Sequence, residues 1–244
     1  MEYKKTKRKL DFPPEKILEE IRKIVTKQQM EFVEIYKNKI IPELRACNIW
    51  LLHSLDFQNY HHEFLDNFFE EKLIQHLQPV LLVKNKIKTF LKSGVLYFSI
   101  KLKTTGANNR YAVLQIPSYK FPRFIQFSDG RSNRKEIFFL DDIVRYCLPK
   151  LFPGYTVEDV FSIKMTRDAD IYIEDEYSGD LIDKIRKGIA KRNIGKGTRF
   201  VYDRLMPKNM LRFLTESLQV KEQDLQEEGR YHNNVDFISF PDFG

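Results

Sequence analysis

Residues 161–173 read Phe-Ser-Ile-Lys-Met-Thr-Arg-Asp-Ala-Asp-Ile-Tyr-Ile, and this stretch decides how the rest of the chain is interpreted. Apolar side chains fall on every second residue from Phe161 to Met165, which predicts a strand with one buried face and one wet, cationic face. Arg167 ends the strand beside Asp168 and Asp170. A guanidinium oriented by two carboxylates suits an anion site, and the same residue types also form plain surface ion pairs.

The composition is that of a globular protein. Of the 244 residues, 42% are hydrophobic and 14% aromatic, which suffices for a substantial core. No apolar run approaches the roughly 18 residues of a membrane span, and no apolar segment follows the basic residues 1–10 as in a signal peptide. Cys47 and Cys147 fit neither a disulfide framework nor a zinc site, so we expect a reducing cytoplasm.

The charge is moderately positive and unevenly distributed. Lysine and arginine exceed aspartate and glutamate by 41 to 34, which gives a formal charge of +7. Residues 1–10 and 184–199 are basic, whereas residues 174–183 and 224–228 are acidic. Such an excess favours a polyanionic partner such as nucleic acid, a phosphate polymer or a membrane surface, and it identifies none of them.

The first third of the chain is predicted to be helical. The segment Pro13-Pro14-Glu15 is typical of a helix start, and an apolar stripe predicts that this helix continues to about Lys39. Pro42 should kink or restart it. A second helix is predicted over residues 57–76, and Pro79 ends it.

Beyond Pro79 the pattern changes to strands mixed with helices. Residues 96–103 and 112–116 predict an antiparallel hairpin. The aromatic tail 229–241 has no period and is expected to need another surface to pack on. The other predicted elements are strands at 123–127, 136–139 and 198–204, and helices at 143–151, 178–192 and 207–218. Together they predict an α+β fold, with long N-terminal helices followed by a mixed, largely antiparallel sheet with helices packed on it.

Two apparent motifs do not carry chemistry. The basic segment 188–198 lacks the first glycine of a phosphate loop, because Ala190 stands there, and it runs from helix to strand instead of from strand to helix. The adjacent pair His61-His62 points in two directions on a helix and cannot share a metal, so these residues are predicted to lie at the surface.

The acidic pairs and the basic strand ends are the remaining candidates. Asp141-Asp142 and the pair Asp168 and Asp170 could bind magnesium together with a substrate phosphate, but capping or ion pairing is favoured for both. Cationic groups at strand ends are the strongest functional signal, because several of them converging would hold a polyphosphate-like anion. They are Arg123, Lys164, Arg167, Arg199 and Arg230.

Several blocks of sequence, taken together, resemble one known family. The block Lys-Met-Thr-Arg-Asp-Ala-Asp at 164–170 resembles the middle, or head, domain of bacterial polyphosphate kinase, which extends inorganic polyphosphate from ATP through a phosphohistidine. The resemblance covers nearly the whole chain. The other matching blocks lie at 111–118, 121–124, 139–147, 199–202, 206–207, 229–233 and 236–241.

The resemblance implies both domain boundaries within the chain and the location of the catalytic groups. It implies a helical segment at 1–79 leading into the middle domain, an α+β middle domain at 80–218, and an extended tail at 219–244 toward C-terminal catalytic domains outside the chain. Those domains carry the phosphohistidine and most of the ATP pocket in the family, so the isolated chain is expected to be inactive. His232 stands in the block at 229–233 and not in a catalytic histidine motif, so it receives no such role.

The resemblance implies a supporting role for this piece, through dimer contacts and as part of the polyphosphate path. The family resemblance implies a cytoplasmic homo-oligomer that uses ATP, polyphosphate and Mg²⁺, with peripheral membrane association of the full enzyme and no nucleic acid partner. It implies no cofactor bound by this piece. The residues expected to line a polyphosphate path are Arg123, Lys164, Arg167 and Arg230.

Two alternatives stay open from the residues alone. The chain could be a stand-alone module that binds polyphosphate or nucleic acid, with salt-sensitive affinity. It could instead be a structural and dimerisation domain, in which Arg167 is buried against Asp168 or Asp170 and stabilises the sheet edge.

Overall fold

The structure is a computed structural model, and its contacts divide the chain into two compact units, Met1–Trp50 and Leu51–Gly244. Among the described residues, no helix combines the length and the apolar character that crossing a membrane requires. The predicted helix at 178–192, Asp168, Asp170 and His232 lie outside the described residues. The structure describes residues 14–82, 91–104, 109–128, 130, 133–167, 197–231 and 234–243.

The described part of the first unit is mainly helical. Helix α1 (Pro14–Ile35) continues through a π-helical turn at Tyr36–Ile40 into helix α2 (Ile41–Ala46). Pro42 lies in the first turn of α2, directly after the π-helical turn, so the regular α-helix is interrupted and restarts next to the proline, as predicted. The apolar stripe of α1 is exposed, with 58% of the Ile24 surface accessible to solvent.

A second helical segment lies near the start of the second unit. Helix α3 (Asn59–Phe68) continues through a π-helical turn at Phe69–Leu73 and a 3₁₀ turn at Ile74–His76, so the helix predicted at 57–76 is confirmed. Two further α-helices follow among the described residues, α4 (Leu140–Leu151) and α5 (Lys208–Leu218).

The described strands form two sheets. The main sheet has the order β2-β4-β3-β7-β8-β9, and a smaller sheet has the order β1-β6-β5. The neighbours in the main sheet are antiparallel, except for β8 and β9, which are parallel. The strands are β1 (Ile49–Leu52), β2 (Val80–Leu82), β3 (Leu96–Lys103), β4 (Arg110–Gln115), β5 (Phe124–Phe127), β6 (Lys135–Phe139), β7 (Thr156–Arg167), β8 (Gly197–Asp203) and β9 (Leu225–Glu228).

The predicted hairpin is confirmed, but the two strands that follow it belong to the smaller sheet and not to the sheet of the hairpin. Ile100 on β3 lies opposite Ala112 on β4, as the alternating pattern requires. Strands β5 and β6 do not extend the main sheet, since they pair with each other in the smaller one, with Ile125 opposite Phe138.

The main sheet is covered on both faces, so the wet face predicted for 161–173 is wrong at Ser162. This residue lies opposite Phe98, which packs in a core that includes Leu65 of α3 and Ile143 of α4, and Ser162 is only 1% exposed. The other face is covered by α5, whose Met210 packs with the apolar residues of β7 and β8. A central strand buried on both faces loses the simple apolar and polar alternation.

His61 is buried, and its predicted surface position is wrong. Its Nδ1 accepts the backbone N–H of Gln58 at 2.9 Å, so Nε2 carries the proton and donates to Glu136 at 2.9 Å. The hydroxyl of Tyr60 also donates to Glu136, at 2.8 Å. Burial is tolerated because both ring nitrogens have partners. The aromatic rings that surround His61 belong to Phe57, Phe127 and Phe138.

Candidate functional site

The C-terminal tail packs on the smaller sheet, which confirms that it needs another surface. The ring of Tyr231 stacks on Phe139 at 4.2 Å between centroids. Phe237 and Phe240 lie 5.3 Å and 5.0 Å from the ring of Phe124. These contacts hold residues 230, 231 and 234–240 of the tail, which include a 3₁₀ turn at Asn234–Ser239, against β5 and β6.

Two adjacent carboxylates mark the start of α4. Asp141 and Asp142 follow β6 almost directly and are 1% and 0% exposed. The positive end of the helix favours carboxylates at this position. The residue that precedes the helix is Phe139, and it makes no side-chain cap. Of the predicted alternatives, ion pairing is the one observed, since each carboxylate binds an arginine.

Arg123 bridges α4 and the tail. Its Nη2 donates to Asp141 Oδ2 at 2.6 Å, and its Nη1 donates to Asp236 Oδ2 at 2.5 Å. The arginine side chain is 4% exposed, and its guanidinium lies 5.9 Å from the centre of the Phe139 ring. Complete burial raises the pKa of the Asp141 carboxyl, and the charge of Arg123 opposes that effect.

Arg230 and Tyr231 bind the second carboxylate. Arg230 Nη2 donates to Asp142 Oδ1 at 2.8 Å and to Ser54 Oγ at 3.0 Å. The hydroxyl of Tyr231 donates to Asp142 Oδ2 at 2.6 Å, and His53 Nδ1 lies 2.6 Å from the same hydroxyl. Burial opposes ionisation of Asp142, but hydrogen bonding to His53 and Tyr231 and the charge of Arg230 outweigh it and lower its pKa to about 2.

Lys164 connects the sheet with this cluster electrostatically. It lies on β7 opposite Val201 of β8, and its side chain is half-buried. Desolvation lowers the pKa of its ammonium group, Glu228 and Asp236 raise it, and the charges of Arg199 and Arg123 lower it. Two of the other predicted cations, Arg123 and Arg199, therefore both lie within electrostatic range of Lys164.

Arg167 contacts a different part of the chain. Its backbone N–H donates to Ser93 Oγ at 3.0 Å, and its Nε donates to the backbone oxygen of Leu91 at 3.1 Å. Burial lowers the pKa of its guanidinium, and Tyr97 opposes the shift. Its predicted partners Asp168 and Asp170 lie outside the described residues, so the prediction about them stays a prediction.

The arrangement suits binding and positioning of anions. Guanidinium and ammonium groups in a poorly solvated place attract an anion more strongly than they do in bulk water. Cys147 is no competing nucleophile, since burial raises the pKa of its thiol to about 12. Within the described residues, no cluster of His, Cys, Asp and Glu side chains has the arrangement of a metal site.

Sequence reasoning named the arginines but missed their partners in the tail. Asp236 and Tyr231 stood in an unpatterned segment, and His53 stood in a loop between elements, so no periodicity pointed to them. A signal existed at Asp141-Asp142, because two charges within the apolar run from Ile137 to Val144 must find cationic partners when they are buried.

Acid should reduce the contribution of Asp142 to stability. Its pKa is lowered in the folded state, from 3.8 to about 2, so its stabilisation is complete above about pH 4 and is lost as the pH falls through 2. We expect the difference in free energy of unfolding between the wild type and Asp142→Asn to shrink by about 2 kcal/mol between about pH 6 and pH 2. Urea denaturation at several pH values measures this, and a difference that stays constant contradicts it.

Known proteins that resemble this chain are polyphosphate kinases. Residues 60–240 match the family described as the polyphosphate kinase middle domain. The polyphosphate kinase of Vibrio parahaemolyticus is 33% identical over 94% of this chain, and that of Escherichia coli K12 is 33% identical over 93%. Both alignments cover 34% of the relative, so the chain spans about a third of the length of the curated relatives it matches.

A solved structure agrees in fold. The crystal structure of polyphosphate kinase from Porphyromonas gingivalis matches 94% of this chain and 33% of its own, with a TM-score of 0.79 and 30% sequence identity. The α+β architecture predicted from the sequence is thereby confirmed. The chain belongs to the polyphosphate kinase family and corresponds to its middle domain.

Proposed function

We propose that this chain serves, as the middle domain, an enzyme that reversibly transfers the terminal phosphate of ATP to inorganic polyphosphate with the help of Mg²⁺. The observation that carries the proposal is the family match over residues 60–240, together with relatives named polyphosphate kinase. Under this proposal the whole enzyme is a cytoplasmic homo-oligomer that can associate with a membrane surface. Its phosphohistidine belongs to other domains.

The role proposed for this chain is to hold the polymer. Each phosphate unit of polyphosphate carries about one negative charge, so cations along its path retain it in a salt-dependent way. The cations proposed for this path are Arg123, Lys164, Arg167 and Arg230. The support comes from Lys164, which is half-buried within electrostatic range of Arg123 and Arg199, because an anion would stabilise the charge of a partly desolvated ammonium group.

Polymer binding should depend on the two cations of β7. Arg123 and Arg230 are tied into ion pairs with buried carboxylates, so removing them changes the fold as well as the charge. Lys164→Gln combined with Arg167→Gln avoids this problem better. We expect this double variant to bind long-chain polyphosphate about tenfold more weakly at about 50 mM salt, and the slope of log affinity against log salt to flatten by about 1.4.

A matched control separates this site from general charge effects. Lys208→Gln with Arg212→Gln removes the same two charges from exposed positions on α5. Titrations at about 50 and 200 mM salt should show the control close to the wild type. Equal weakening in both double variants would mean that net charge, and not this site, holds the polymer. Failure of the wild type to bind polymer at either salt concentration would overturn the role proposed here.

A further inference from the structure

The two carboxylates on Arg123 are not equivalent. Asp141 is fixed in the first turn of α4 and its side chain is 1% exposed. Asp236 comes from the 3₁₀ turn of the tail, and 28% of its side chain is accessible to solvent. Nη2 of Arg123 is therefore bonded to a buried carboxylate, whereas Nη1 is bonded to a carboxylate that solvent and solutes can reach.

Asp236 has a second cation in electrostatic range besides its bonded partner, and that cation also interacts with Glu228. Lys164 lies in electrostatic range of both Asp236 and Arg123, and Arg199 of β8 lies in range of Lys164. The Nε of Arg123 is buried without a hydrogen-bond partner among the described residues, so its guanidinium has donor capacity to spare. An internal unit of polyphosphate offers this fork two non-bridging oxygens and about one negative charge, as a carboxylate does, and a terminal unit offers a third oxygen.

We propose that the Asp236 carboxylate occupies a phosphate-binding position on Arg123, and that a phosphoryl group of a polyphosphate chain replaces it when the polymer binds. This inference rests on the proposed function, since it names one subsite of the polymer path. Asp236 is then an internal competitor for the polymer, and the tail that carries it sets how tightly the polymer is held.

The tail can release this position without exposing the core. The outward residues of the 3₁₀ turn, Val235 and Ile238, are already 74% and 88% exposed. The turn is retained by the aromatic contacts of Phe237 and Phe240 with Phe124, and these do not include the carboxylate. A small shift of the turn therefore frees Arg123 Nη1 while the tail remains attached.

Removing the competing charge should strengthen polymer binding. We expect Asp236→Asn to bind long-chain polyphosphate about tenfold more tightly than the wild type at about 50 mM salt, because a charged competitor has become neutral. Glu222→Gln is the matched control, since it changes the net charge equally at an exposed position of the same tail. We expect it to change the affinity less than about twofold.

Two further measurements distinguish the loss of the competing charge from a change in folding. Asp236→Glu keeps the charge and should bind like the wild type, whereas a purely structural effect of position 236 would move both variants alike. Amide hydrogen exchange of the wild type should rise at residues 234–239 when polyphosphate is added.

The outcomes separate this inference from the proposed function. Wild-type binding with equal affinities for Asp236→Asn and Glu222→Gln overturns the inference and leaves the proposed function standing. Binding by Asp236→Asn alone supports the inference, because the competitor then masks the site in the wild type. If neither the wild type nor Asp236→Asn binds the polymer, both the inference and the proposed function are overturned. Polymer binding without any change in exchange at 234–239 also overturns the replacement of Asp236.

Discussion

Replacing Arg123 with alanine is expected to lower the free energy of unfolding by about 3–5 kcal/mol. The arginine neutralises Asp141, which is 1% exposed, and it also links α4 to Asp236 in the tail. Without it, the Asp141 carboxylate must either remain charged in a poorly solvated place or take up a proton, and both cost free energy. Chemical denaturation followed by circular dichroism measures the loss.

The control for Arg123 is Arg212→Ala, an equal change of charge at an exposed position on α5, and it should shift stability by less than about 0.5 kcal/mol. The double variant Arg123→Ala with Asp141→Ala should be more stable than the sum of the two single losses predicts, since no buried charge is then left alone. A loss below about 1 kcal/mol for Arg123→Ala would show that the ion pair contributes little.

Replacing Phe138 with alanine is the second substitution with a large expected effect, again about 3–5 kcal/mol. The ring is fully buried in the core that includes Leu65 of α3 and Ile143 of α4. It contacts the rings of Phe57, His61 and Phe127 at centroid distances of 5.0, 5.1 and 5.5 Å. The substitution leaves a cavity among side chains of α3, β5 and β6, which cannot close because the three elements are held by other contacts.

Thermal and urea denaturation of Phe138→Ala measure this cost, with Tyr119→Ala as the aromatic control. Tyr119 is 67% exposed, so its removal should change the free energy of unfolding by about 0.5 kcal/mol or less. Phe138→Leu should recover much of the loss, because it refills part of the cavity. Similar losses for the Phe138 and Tyr119 variants would contradict the assignment of Phe138 to the core.

The sequence predicted the elements well where periodicity was strong. The hairpin of β3 and β4 and the helical segment at 57–76 followed from clear patterns. Strand β1 was not predicted, because Ile49–Leu52 is a short continuous apolar run without alternation. The separate pairing of β5 with β6 and the burial of Ser162 were missed for a common reason, since which surfaces cover a sheet is a property of tertiary packing and leaves no mark on a single strand.

The candidate site could be predicted in part. Arg123 and Arg230 stood out as basic residues in matching blocks, but their partners are distant in sequence. Asp236 is 113 residues from Arg123, and Asp142 is 88 residues from Arg230. Charge patterns along a chain report on neighbours within a helix turn or across a hairpin and cannot report pairs so far apart.

The attachment of the tail to the beginning of the second unit also has a kinetic consequence. Arg230 bonds to Ser54 and Tyr231 to His53, across 176 and 178 residues of chain. Contacts between such distant residues close long loops, which slows folding and delays these contacts relative to local ones. During synthesis, Asp142 also leaves the ribosome before Arg230 and Tyr231, because it precedes them in the sequence. The hydrogen bonds of Asp142 with the tail can therefore form only after residues 230 and 231 have been made.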